Sequence, residues 1–175
     1  MVGVDMIATN ANWNGCNQLE RSSKFMYDVI NLSEYIITKC IKENHLINSM
    51  QLQYILYYIQ KAFLIEKDKL AFLDDIRVKA WGPAISSVYD RYCGYGTMPI
   101  FFSPAKYNIA EEDKQLIDSI VESKRVLAPR DLAEELRRKD KVWKQIYKKG
   151  SGLFNEKIPV SLLKITGRRN IWNIN

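Results

Sequence analysis

Histidine is almost missing from this chain: His45 is the single one in 175 residues. With only Glu43 beside it, and no Cys or Asp at ligand spacing, it makes neither a histidine-based triad nor a metal site. His45 therefore reads as a residue of a helix–helix turn. Cysteine is also scarce. Cys16, Cys40 and Cys93 are odd in number and form no CxxC pair, which suits a reducing compartment. Cys40 falls on an apolar helical face and is expected in the core. Cys93, between Tyr92 and Gly94, is expected to pack rather than to react. Long hydrophobic runs are absent too. The most apolar stretch, Ile55 to Ile65, is interrupted by Gln60 and Lys61 and falls short of the roughly 20 residues a membrane span needs. The N-terminus has no basic region of a secretory signal. The expectation is a cytoplasmic protein without membrane contact.

Other chemistries find little support. Gly94-Tyr95-Gly96 follows a predicted helix instead of a strand, which excludes a P-loop or a dinucleotide fingerprint there. Asp74-Asp75 offers a paired-carboxylate site or a solvated turn, and the turn is the simpler reading. Glu111-Glu112-Asp113 is explained by the favourable field at a helix N-terminus. No catalytic, cofactor-binding or metal-binding residue emerges, so neither an enzyme nor a cofactor is expected.

What the chain does have is aromatics, charge and helical periodicity. Hydrophobic residues make up 47% and charged residues 26%, the balance of one globular domain. The net charge of +6 is unevenly spread. Residues 1–123 carry 12 basic and 15 acidic side chains, whereas residues 124–175 carry 14 and 5. Such asymmetry points to nucleic acid, to an acidic protein partner, or simply to a well-solvated helical surface.

Residues 1–25 read as a polar, Asn-rich extension that is weakly ordered unless Trp13 docks. Val29, Leu32, Ile36 and Cys40 then repeat with helical spacing over Tyr27 to Glu43. A second helix, about Met50 to Glu66, has two stripes: Leu52, Ile55, Leu56, Ile59 and Phe63 on one side, and Tyr54, Tyr57 and Lys61 opposite. Such a helix is central in its bundle or presents a partner-binding face. From Lys69 to Ala80 the period approaches two, which predicts a hairpin or an extended arm. Trp81-Gly82-Pro83 is expected to open a third helix, with Pro83 at its first position and Ile85, Val88, Tyr89 and Tyr92 on its inner face. Further helices are expected from Ala110 to Ser123, from Ala128-Pro129 onward, after an Asp140 cap with Val142, Trp143, Ile146 and Tyr147 inward, and after Ile158-Pro159. The predicted fold is mainly α, a single compact domain of six to seven helices with a small β-hairpin or extended arm.

The ordered set Tyr57-Tyr58, Trp81-Gly82-Pro83, Val88-Tyr89, Tyr92 and Tyr95-Gly96, followed by Trp143 in a late helix, resembles the Panacea domain, the SocA-like or GepA-like phage-associated family. The resemblance covers about Met26 to Leu163. It departs just before Trp143, where a Thr-His pair is common in the family and Leu136-Arg137-Arg138-Lys139 stands here. It implies an antitoxin domain over 26–165 with a C-terminal tail at 166–175. Its partner would be a cognate toxin encoded by a neighbouring gene, neutralised by masking or by delivery to a protease. The complex would be a heterotetramer with the toxin, or the antitoxin a homodimer. The candidate partner-binding residues are Tyr54, Tyr57, Trp81, Tyr92 and Tyr95, together with Lys141, Lys144 and Lys148. The alternative is a nucleic-acid-binding regulator that uses Arg137-Arg138-Lys139, Lys141, Lys144, Lys148-Lys149 and Arg168-Arg169, with Trp143 and Tyr147 either stacking or, from their spacing, in the core.

Overall fold

A computed structural model describes residues 26–103, 107–148 and 155–168. The predicted extension with Trp13 and Cys16, the loop at Pro104, the break at Gly150 and Gly152, and residues 169–175 lie outside them. Among the described residues the architecture is mainly helical: seven α-helices and one two-stranded antiparallel sheet. Among the described residues no helix is long and apolar enough to cross a membrane.

Helix α1, Val29–Lys42, starts where the Asp28 carboxylate accepts the Asn31 N–H at 2.9 Å. Its predicted stripe is buried, Cys40 included. His45 follows in the turn, which Asn44 enters with a φ of +52°. Helix α2, Ser49–Ala62, is opened by a full capping box. The Asn48 side chain takes the Gln51 N–H while the Gln51 side chain takes the Asn48 N–H, so two orphan donors are satisfied together. This helix is the centre of the molecule. Leu52, Tyr54, Ile55, Leu56, Tyr57 and Ile59 are all fully buried although they point in every direction. Central burial, one of the two readings of its double stripe, is the one observed. The helix does not stay α to Glu66. Phe63–Lys67 is a wider π turn that ends at Asp68, a left-handed residue with a φ of +53°.

Strands β1, Ile76–Lys79, and β2, Gly82–Ile85, pair around the two-residue turn Ala80-Trp81. A hairpin or extended arm was expected over Lys69 to Ala80; the observed hairpin lies further along, with residues 69–75 outside any strand, and its second strand occupies residues assigned to a helix. Trp81-Gly82-Pro83 does not open helix α3, which begins at Ser86 and runs to Tyr92. The reason is that a missing N–H suits two places. Pro83 lies opposite Val78. The Val78 N–H and C=O are turned outward to Glu156 and Asn155, so this position of the ladder asks no N–H of its partner. Residues 155–158 thereby border β1 on its other edge, with the Ile158 N–H also bonded to the Ile76 carbonyl at 2.8 Å.

A 3-10 turn, Cys93–Tyr95, closes α3. Helices α4, Glu111–Arg125, α5, Pro129–Lys139, α6, Lys141–Lys148, and α7, Val160–Arg168, complete the bundle. Asp140 caps α6 as predicted, with its Oδ1 accepting from the Val142 N–H at 2.8 Å, and Trp143 is buried. Asp74 and Asp75 are half-buried and tied down, by the Ser87 hydroxyl at 2.7 Å and the Lys157 ammonium at 2.5 Å.

The irregular segments are held by buried glutamines of α2. Gln60 takes the N–H groups of Ala71 and Phe72 and gives one to the Phe72 carbonyl. Gln53 takes the Ile85 N–H at 2.7 Å and gives to its carbonyl. Gln51 binds the carbonyls of Arg125 and Leu127. Each amide has a donor and an acceptor and so can close a backbone edge that no strand covers.

Candidate interaction surface

The aromatic side chains sort into anchors inside and faces outside. Tyr54, a candidate contact residue, is fully buried. Its hydroxyl donates to the Trp81 carbonyl, and its ring lies where a Cβ on Gly82 would stand, 2.5 Å from the Tyr54 oxygen. Gly82 also has a φ of +141°, a conformation that glycine alone adopts readily. Tyr54 therefore sets the turn that carries Trp81. Tyr57 is likewise fully buried. Its hydroxyl donates to Asp140 Oδ2 at 3.0 Å, and Lys61 Nζ reaches the same oxygen at 2.5 Å. Burial raises the Tyr57 pKa well above the phenolic range, and the Asp140 charge adds to the rise. Tyr92 is buried too. Burial raises its pKa, opposed by the neighbouring Arg91 guanidinium. These three tyrosines are corrected from contact surface to scaffold. An α2 that is surrounded on all sides, and an α3 with its inner edge on α1 and α2, leave them no solvent.

Trp81 and Tyr95 are half-buried and keep an outward face. Trp81 stacks on Tyr89, with ring centroids 6.3 Å apart and planes at 23°. Tyr89 is 49% exposed, although helical spacing placed it on the inner face of α3. The stacked pair forms a wall between two hollows of about 320 Å³ each. One is lined chiefly by Met50, Gln53, Cys93 and Thr97 and is mostly apolar; the other, by Lys79, Ala84, Ser86 and Asp90. Cys93, expected to pack, is exposed at the rim of the first. Its position at the start of the 3-10 turn, after the last turn of α3, carries the thiol away from the core.

Beyond the 3-10 turn, Gly96 takes a φ of +56° and turns the chain back towards α2. Asn48 bridges to Pro99, and the Ile100 N–H bonds the Ile47 carbonyl at 2.8 Å. Pinned at that point, the loop buries Ile100 and turns Met98, Phe101 and Phe102 outward at 65%, 69% and 65% exposure. Tyr95 meets Phe101 edge to face, with centroids 5.6 Å apart. These three loop residues carried no helical or strand signal, and the sequence reading missed them. Large apolar side chains exposed together are a feature of interaction surfaces, and Trp and Tyr are the residues that concentrate binding energy.

The basic candidates lie elsewhere, on α6. Lys141 is half-buried and Lys144 exposed; the Lys148 side chain is outside the described residues. Among the described residues no three His, Cys, Asp or Glu side chains gather as a metal-holding group. Compared with known proteins, the chain matches no family model, no curated protein and no solved structure.

Proposed function

We propose that this chain is a partner-binding protein that works as an antitoxin, neutralising a toxin by direct contact through its outward aromatic surface. The observation that carries the binding reading is the exposed set Tyr89, Met98, Phe101 and Phe102 with half-buried Trp81, tied to α2 through the Tyr54–Trp81 hydrogen bond and the Asn48–Pro99 bridge. Apolar area exposed in this way is available for burial against a partner. The antitoxin reading rests on the resemblance to the Panacea domain. Masking is favoured over delivery to a protease because a pinned aromatic surface suits a stable complex.

Co-expression with the neighbouring gene tests this. The neighbour alone is expected to arrest growth. This chain is expected to relieve the arrest and to copurify with the neighbour as an intact complex. A harmless neighbour, or rescue without a complex, overturns the antitoxin reading. Rescue accompanied by loss of the toxin replaces masking with delivery.

A further inference from the structure

We propose that the corner between α5 and α6 is a docking surface for the phosphate backbone of duplex DNA, separate from the aromatic surface. Residues 137–148 hold six cations and a single carboxylate, Asp140. That carboxylate is spent inward: it is buried, paired with Lys61 and capping α6. The nearby Glu135 is likewise taken up by Lys124 at 2.7 Å. Arg138 has a partner in Glu134, at 3.5 Å. Arg137, Lys139, Lys141 and Lys144 have no ion-pair partner among the described residues. Cations elsewhere are mostly neutralised: Lys39 by Glu43, Asp118 and Glu122, Arg91 by Glu34, and Arg125 by Glu43.

Packing fixes the direction of this charge. Val142, Trp143 and Ile146 are buried, which leaves Lys141, Lys144 and Gln145 on the opposite side of α6 at i, i+3 and i+4. Arg137 and Lys139 are exposed in the last turn of α5, directly before. The composition favours phosphate over protein. Lysine is depleted at protein interfaces, whereas an array of ammonium groups suits a polyanion without reading its sequence. A duplex is favoured over a single strand because the described aromatic here, Trp143, is buried and offers no stacking platform.

Fluorescence anisotropy of the whole chain with a labelled duplex of about 20 base pairs, from about 50 to 200 mM salt, tests the surface. With about four phosphate contacts, the log–log slope is expected near −3 to −4. K144E is expected to weaken binding several-fold, and K139E/K144E about tenfold or more with a slope reduced by about 2. K42E alters an exposed lysine on α1 and is expected to change affinity less than about twofold, although it alters net charge as much as K144E. Unchanged thermal unfolding of these variants checks the fold. Absence of binding at the lowest salt, equal losses in K42E and K144E, or tighter binding of a single strand or a polyglutamate peptide than of the duplex would each overturn the proposal.

Discussion

Asp140 joins three tasks in one side chain: it caps α6, accepts from Tyr57 and balances Lys61 in the core. Substitution separates them. In Asp140→Asn the cap survives, because the remaining oxygen can still take the Val142 N–H, but the Lys61 charge is stranded. We expect a loss of about 3–5 kcal/mol, read by urea unfolding. Lys61→Met combined with Asp140→Asn should recover part of that loss, since no buried charge is then left alone. Gly82 makes a second test. Gly82→Ala places a methyl against the Tyr54 hydroxyl in a left-handed backbone, and a cost of about 2–4 kcal/mol is expected. Tyr54→Phe removes the bond to the Trp81 carbonyl and should cost about 1–3 kcal/mol, with a change in tryptophan fluorescence that Gly82→Ala shares.

Between elements, the clearest tie runs from the end of α2 to the start of α4. Asp113 is fully buried in the first turn of α4. Lys67, from the π turn, donates to it, Lys69 lies 3.5 Å away, and the Tyr27 hydroxyl donates at 2.5 Å. Burial alone would raise the Asp113 pKa, but these partners outweigh it and hold it below the ordinary aspartate value. The sign follows: a lowered folded-state pKa adds stability above the unfolded value of about 4, and that stability drains as pH falls through the folded value. Unfolding free energy measured from neutral pH downward should therefore decline below about pH 4, and Asp113→Asn should be less stable at neutral pH with a shallower acid decline.

The helix dipole accounts for three acids at the start of α4, as read in the sequence, but not for the burial of one of them, because the lysines that pair with Asp113 come from a turn some 45 residues earlier. Legibility elsewhere followed the same line. Cys40, Trp143 and the Asp140 cap were readable because local spacing decides them. Pro83 was not, since its missing N–H fits a helix start and an unbonded ladder position equally. Tyr89 was misplaced because α3 has only seven residues, too short to bury both edges of a stripe. Tyr54 and Tyr57 sit on a helix apolar all round, where periodicity cannot say which side meets solvent.

At the scale of the whole molecule, the fold separates an outward aromatic surface from a basic corner, with α2 at the centre holding both the hairpin and α6. Met98, Phe101 and Phe102 leave most of their apolar area to solvent, and Phe101 has one ring contact, with Tyr95. Replacing Phe101 and Phe102 by Ser is therefore expected to leave stability within about 0.5 kcal/mol, as measured by urea unfolding. The most direct test of the central claim is titration calorimetry of the toxin partner with the native chain, with Trp81→Ala/Tyr89→Ala and with Phe101→Ser/Phe102→Ser. The account predicts a loss of at least about 2 kcal/mol of binding free energy for each pair, roughly thirtyfold in Kd, with folding intact. Full affinity in both variants would contradict it.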